Sequence, residues 1–161
     1  DFNSIGLVEK ALHIEMLTYE DQKLWQDVAE YAEHCSWQTT GKHFSNKMRR
    51  KEFKDWERVF IALEHDSVAG FCALTKKSDV LNIPYTPLIG FVFVGAAHRG
   101  KKIAEKLCFA AIRYAKEIGF ETIYLYSTLV NFYEKMGFIK IGEIEAPWGE
   151  TESIYMYKSI G

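Results

Sequence analysis

The sequence is poor in cysteine and proline, carries no surplus of one charge, and has no long apolar run. Its three cysteines, Cys35, Cys72 and Cys108, are scattered over 161 residues. No pair has metal-ligand spacing, and an odd count does not suit the disulfide framework of a secreted domain. Reduced thiols in a cytoplasmic protein without a bound metal are the simpler reading. Pro84, Pro87 and Pro147 are the only prolines, so there is no proline-rich linker. The 20 basic and 22 acidic residues leave a net charge of −2, which argues against an electrostatic nucleic-acid binder. No apolar stretch approaches the ~18 residues that span a bilayer. Asp1-Phe2-Asn3-Ser4 shows neither the basic head nor the apolar core of a signal peptide. The expectation is a cytoplasmic protein with no membrane and no nucleic-acid partner.

What is present is core-forming material: 48% of residues are apolar and 15% aromatic, which excludes disorder. The length suits one domain over residues 1–161. Ala11–Leu17 alternates and predicts a strand, and Leu24, Val28 and Tyr31 at helical spacing predict a helix within Tyr19–His34. Asn46–Trp56 reads as a basic helical or irregular stretch. Val59–Leu63 and Val68–Thr75, joined by an Asp66-Ser67 turn, predict a hairpin. Leu88–Val94 is nearly all apolar and suits a buried central strand. From Gly100 to Ile118, the residues Ile103, Leu107, Ala111, Tyr114 and Ile118 recur at steps of three and four, widened by Ala104, Cys108 and Ala115. Gly119 closes this helix. Thr122–Tyr126 then predicts a strand and Leu129–Met136 a short helix. Phe138–Glu145 and Ser153–Lys158 predict two strands about a Pro147-Trp148-Gly149 turn. The order predicts a mixed α/β fold with one central sheet.

The strand-to-helix turn Gly95-Ala96-Ala97-His98-Arg99-Gly100 is a candidate anion site. The first turn of the following helix presents free N–H groups and the positive end of its dipole. Gly100 permits close backbone approach, and Arg99, Lys101 and Lys102 add positive charge.

Val92-Phe93-Val94, then His98-Arg99-Gly100-Lys101-Lys102-Ile103-Ala104, then Asn131-Phe132-Tyr133-Glu134-Lys135-Met136-Gly137-Phe138 together resemble the GNAT superfamily of N-acetyltransferases. In that family Arg or Gln, two residues, Gly, one residue, then Gly or Ala follow the central strand and cradle the pyrophosphate of CoA. The resemblance implies a GNAT-type α/β domain whose central sheet is mixed and mostly antiparallel. It would have six to seven strands, flanked by helices and splayed at the fourth and fifth. Acetyl-CoA is the implied cosubstrate. Two positions depart from the pattern. Lys102 stands where the family has its middle glycine, and Tyr126 where many members carry Asn. The spacing of Leu129, Val130, Phe132 and Tyr133 looks more like the arylalkylamine N-acetyltransferase branch.

By the resemblance, the backbones of Val92, Phe93 and Val94 pair with the pantetheine arm, while Arg99, Gly100, Lys101, Lys102, Ile103 and Ala104 hold the pyrophosphate. Tyr133 is the candidate acid that stabilises the departing CoA thiolate. With ~8.5 for a thiol and ~10 for tyrosine, complete proton transfer costs roughly 2 kcal/mol, so a hydrogen bond short of full transfer is also compatible. The base is unassigned. The central strand has no carboxylate or histidine, leaving Glu64, His65, Asp79, Glu152 or a water chain. Cys72 and Cys108 space with core positions and are not expected to be nucleophiles. The basic residues Lys47, Arg49, Arg50, Lys51, Lys54 and Arg58 read as a solvated helix face before an acidic docking patch. Tyr85, Trp25, Trp37 and Trp148 can line an amine pocket or pack in the core. The expected acceptor is a primary amine of a small molecule, attacked directly in a ternary complex. A protein lysine or N-terminus, or a non-catalytic acyl-CoA-binding module, are the alternatives. The family would allow a homodimer, but no residue here selects one.

Overall fold

The alternating and continuous apolar runs form seven strands: β1 (His13–Leu17), β2 (Arg58–Glu64), β3 (Ser67–Thr75), β4 (Leu88–Val94), β5 (Thr122–Ser127), β6 (Ile139–Glu145) and β7 (Thr151–Lys158). A computed structural model, which describes residues 11–159, places them in one sheet ordered β1-β2-β3-β4-β5-β7-β6. All neighbours are antiparallel except β4 and β5. That parallel pair is registered only at Leu88 and Tyr124, so the strands diverge beyond it. The expected splay is present.

Three α-helices cover the sheet: α1 (Gln22–His34), α2 (Gln38–Arg49) and α3 (Ile103–Glu117). On α3 the buried stripe is Ile103, Leu107, Cys108, Ala111, Ile112, Tyr114 and Ala115. It packs on Phe60, Cys72, Leu74, Ile89, Ile123, Leu125 and Tyr155. Ile118, expected in that stripe, caps the helix and is exposed. Helices α1 and α2 cover the other face, against Val59, Ile61, Phe71 and Phe93. Phe44 stacks on Phe71 with centroids 4.4 Å apart. Each fully buried leucine or isoleucine in these layers contributes roughly 1.5–3 kcal/mol.

Strand β4 carries a bulge. Phe71 faces Phe93 and Ala73 faces Gly90, so β4 spends three residues where β3 spends two. Phe91 takes up the extra length at φ 56°, a region costly for a residue with a Cβ. The bulge puts Phe91 on the α1–α2 side with Phe93, although Ile89 two residues earlier packs on the α3 side, and takes Val92 out of the regular ladder with β3.

Three local readings are corrected. Helix α2 starts at Gln38 and ends at Arg49, so it precedes the predicted stretch and only overlaps it. Gln38-Thr39-Thr40-Gly41 is a poor helix signal. Gly41 is there because a Cβ would meet the Ala32 carbonyl oxygen and, at 2.7 Å, Cys35 Sγ, which permits the close crossing of α1 and α2. The hairpin turn is His65-Asp66, both at positive φ, as a two-residue hairpin with right-handed twist requires; Ser67 already belongs to β3. Finally, Leu129–Met136 is no α-helix. Asn131 at φ 61° breaks it, and only a 3-10 turn over Glu134–Met136 remains.

Candidate active site

Where β4 and β5 part, a cleft of about 640 Å³ opens. Val92, Phe93 and Val94 form one wall, Leu129, Phe132 and Tyr133 the other, and Arg99 and Ala104 the end beside α3. Ser36 and Trp37, between α1 and α2, complete it. The fold therefore brings together the three sequence segments expected to act together. Gly100, Lys101, Lys102 and Ile103 belong to the turn and helix start between Arg99 and Ala104. Trp37 stacks on Phe93 with centroids 5.9 Å apart and stays 36% exposed. Ser36 had no signal in the sequence, because it reaches the cleft only through the α1–α2 crossing.

At the α3 end the first intrahelical bond runs from Lys106 N to the Lys102 carbonyl oxygen, 3.1 Å. The N–H groups of Ile103, Ala104 and Glu105 have no partner within the helix. Gly100 has φ +84° and Lys102 φ 60°, so the turn places two left-handed residues just before the helix. The cations differ in their commitments. Arg99 Nε donates to the Val94 carbonyl oxygen at 3.1 Å. Lys101 Nζ and His98 Nδ1 each lie 2.8 Å from Glu64 Oε1. Lys102 is exposed and pairs with no described residue.

Tyr133 is 5% exposed and wedged against Phe132, Phe138 and Tyr155, with centroids at 4.9, 5.8 and 5.9 Å. Burial, with smaller effects from Cys108, Cys72, Tyr155 and Glu105, pushes its phenol far above the ordinary tyrosine value. Its hydroxyl makes no hydrogen bond among the described residues. Such a phenol keeps its proton and is free to donate a hydrogen bond. Cys72 and Cys108 are buried, and burial pushes both thiols up, Cys108 to about 12, so neither supplies a thiolate.

The candidate bases separate clearly. Hydrogen bonds from Lys101 and then His98 hold the Glu64 carboxyl below its ordinary value, so Glu64 ties the turn to β2. His65 lies exposed in the hairpin turn. Burial alone would raise Asp79, but hydrogen bonds from His43 (2.9 Å) and Lys47 (3.3 Å) outweigh it and lower the carboxyl. Glu152 alone is raised, chiefly by burial, against a hydrogen bond from Trp148 and with a smaller push from Glu150.

The remaining aromatic candidates disperse. Trp25 is core, its Nε1 donating to the Met48 carbonyl oxygen at 2.9 Å. Tyr85 stacks on Tyr124 at 4.7 Å and lines a separate groove of about 510 Å³ with Trp56 and Phe120. The basic run is dispersed too. Lys47 is buried beside Asp79, Arg49 pairs with Glu30 and Glu33 of α1, and Arg58 lies over the Tyr114 ring. Arg50, Lys51 and Lys54 stay exposed, so only half of the run forms a solvated basic face.

The family model described as the acetyltransferase (GNAT) family matches residues 14–138, a span holding the splay, the turn and Tyr133. The chain belongs to the GNAT acetyltransferase family. It is an N-acetyltransferase and uses acetyl-CoA. Solved structures share the fold at low identity. An aminoglycoside 6'-acetyltransferase type Ii is 16% identical over 92% of this chain and 98% of its own, with a TM-score of 0.73. An aminoglycoside 6'-N-acetyltransferase complexed with coenzyme A is 14% identical over 92% and 98%, TM-score 0.72. An acetyltransferase from Streptococcus agalactiae is 20% identical over 93% and 99%, TM-score 0.63. No curated protein matches the sequence. In this GNAT chain Lys102 adopts the left-handed backbone that the family's middle glycine would take without strain. Its side chain points to solvent rather than filling the turn. The turn therefore keeps free N–H groups and an uncommitted ammonium, a donor set that fits a pyrophosphate. Among the described residues no helix is long and apolar enough to cross a membrane.

Proposed function

We propose that this acetyltransferase moves the acetyl group of acetyl-CoA directly onto a primary amine of a small molecule. One observation carries the choice of acceptor: the segment leading to β4 is fastened over the side of the splay facing α2. Asp79 is held by His43 and Lys47 of α2, Ser78 Oγ lies 3.1 Å from Tyr126 Oη, and Tyr85 stacks on Tyr124. A fastened cover suits a small acceptor better than an extended peptide, and two fold neighbours act on aminoglycosides by name.

The backbones of Val92, Phe93 and Val94 would pair with the pantetheine arm, which the bulge leaves room for. Gly100, Lys101, Ile103 and Ala104 would hold the pyrophosphate with backbone N–H groups, assisted by Lys102 and Arg99. Bound there, acetyl-CoA supplies an activated acetyl carbon. Tyr133 would then donate a hydrogen bond to the sulfur as the C–S bond breaks. Its raised pKa makes full proton transfer costlier than the roughly 2 kcal/mol of an unperturbed pair, so it stabilises charge and retains its proton.

The test is calorimetric titration with acetyl-CoA, followed by CoA-release assays with small primary amines beside a lysine peptide. One-site binding and faster turnover of the small amines are expected. No binding at millimolar acetyl-CoA, or preference for the peptide, would overturn the reading.

A further inference from the structure

Glu152 is a carboxylate without a counter-cation among the described residues. It is 7% exposed, covered by its neighbours although it lies near the end of the sheet rather than deep in the core. Trp148 of the β6–β7 turn is the neighbour that favours its ionised form, and no lysine, arginine or histidine among the described residues pairs with it. A covered carboxylate normally has a cation beside it, because desolvating a lone charge is costly.

Register places Glu152 beside the splay. Tyr126 of β5 faces Ile154 of β7, and Ser127 faces Ser153. With side chains alternating, Glu152, Ile154 and Tyr126 share the sheet face covered by α1 and α2. Glu152 lies one residue past the last β5 pair, where the chain leaves for Leu129 and the cleft wall. Glu143 and Glu145 flank Ile144, the β6 partner of Glu152, and point to the opposite face.

The hydroxyl hydrogen of Tyr126 is uncommitted, by elimination. Ser78 Oγ accepts the N–H groups of Val80 (3.1 Å) and Leu81 (2.9 Å), which uses both its lone pairs. It must therefore donate its own hydrogen to Tyr126 Oη, leaving the phenolic hydrogen free for another acceptor. The charges that bear on Tyr126 are Glu152 and Asp79. Asp79 is already neutralised by Lys47, with His43 on the same carboxylate. Glu150 is the remaining charge beside Glu152.

We infer that Glu152 is the catalytic carboxylate that binds the acceptor's ammonium group and takes its proton, with Tyr126 and Trp148 as positioning residues. This rests on the amine-acetylation reading and deepens it. The ammonium loses one proton to Glu152, and the freed nitrogen lone pair forms the N–C bond. The C–S bond breaks with its electron pair on sulfur. The nitrogen's second proton passes by solvent to the thiolate, giving the amide and CoA thiol, and Glu152 returns its proton to water. The raised carboxyl of Glu152 suits a base working nearer neutrality than an ordinary glutamate.

The experiment records pH–rate profiles from pH 6 to 10 with tyramine, spermidine, kanamycin A and a lysine peptide as acceptors. It compares the full chain with Glu152→Gln, Trp148→Phe and Glu145→Gln. At pH 7, Glu152→Gln should lower kcat/KM for the amine at least about 30-fold and leave KM for acetyl-CoA unchanged. The deficit should close toward pH 10, as the amine loses its proton unaided. Trp148→Phe removes the indole N–H that favours the ionised carboxylate, so the rising limb should move to higher pH. Glu145→Gln should match the parent. A Glu152→Gln profile that superimposes on the parent, or falls equally at every pH, overturns the inference and leaves amine acetylation standing. Turnover of the peptide alone overturns the small-acceptor reading while still testing Glu152 on that peptide. Turnover of no amine overturns both.

Discussion

Two glutamates, one at each side of the splay, have been given opposite properties by their surroundings. Glu64 closes β2 beside the α3 turn, and Lys101 and His98 hold its carboxyl low. Glu152 opens β7 beside Tyr126, meets no cation among the described residues, and is held high by burial. The first clamps a loop that would hold phosphate, where a negative charge must be neutralised by its own cations. The second faces the side where a cation would arrive. On the proposed reading the contrast would put cofactor binding on one side and proton removal on the other, although the two side chains are chemically identical.

After the roughly 30-fold loss expected of Glu152→Gln, the largest expected effect lies between these two regions. Tyr133→Phe should lower turnover at least about tenfold while the acetyl-CoA dissociation constant, read by calorimetry, stays the same. Unchanged turnover would remove Tyr133 from the chemistry and leave it a packing aromatic beside Phe132 and Phe138.

Next in size is the division between binding and turnover. Glu64→Gln releases Lys101 and His98 from their shared partner and should loosen the turn, changing acetyl-CoA affinity several-fold with a much smaller change in kcat. Glu152→Gln should do the reverse. If both variants altered affinity and turnover alike, the two sides would not be functionally separate.

Stability against pH sharpens the same comparison. The Glu64 pKa is lowered on folding, so its contribution is present above the ordinary value of 4.5 and lost as pH falls through the depressed one. Glu64→Gln should flatten that acid limb. The Glu152 pKa is raised, so stability drops as pH climbs from 4.5 through the raised value, where a covered carboxylate must ionise. Glu152→Gln should remove the drop, keeping or raising Tm at pH 8 while activity falls. Thermal melts from pH 3 to 8 read both slopes, and slopes of the same sign would contradict the assignment.

The smallest effect is at Lys102. Glycine there relieves left-handed strain of about 1–2 kcal/mol, offset by roughly 0.5–1 kcal/mol of extra unfolded-chain entropy. A net gain below about 1 kcal/mol is expected in denaturant melts. Acetyl-CoA binding should weaken modestly and lose part of its salt dependence, because the uncommitted ammonium is gone.

Much of this was legible in one dimension. The α3 stripe, the continuous β4 run, and the Arg99–Ala104 and Tyr133–Phe138 segments are local patterns, and local geometry follows from backbone sterics and side-chain periodicity. Other features were not. Helix α2 hides behind Gln38-Thr39-Thr40-Gly41, because its glycine answers to the surface of α1 rather than to helix propensity. Asn131 breaks a helix that Leu129–Met136 seemed to spell.

By itself the sequence determined the order of the strands, the turn that opens α3 and the aromatic segment carrying Tyr133. Only the tertiary structure decided which of Glu64, His65, Asp79 and Glu152 is a clamp, a bystander or a candidate base. A carboxylate's basicity depends on desolvation and on the nearest opposite charge. For Glu64 and Asp79 those charges come from residues 37 and 32 positions away, Lys101 and Lys47. For Glu152 the deciding fact is that no such cation arrives from the described residues.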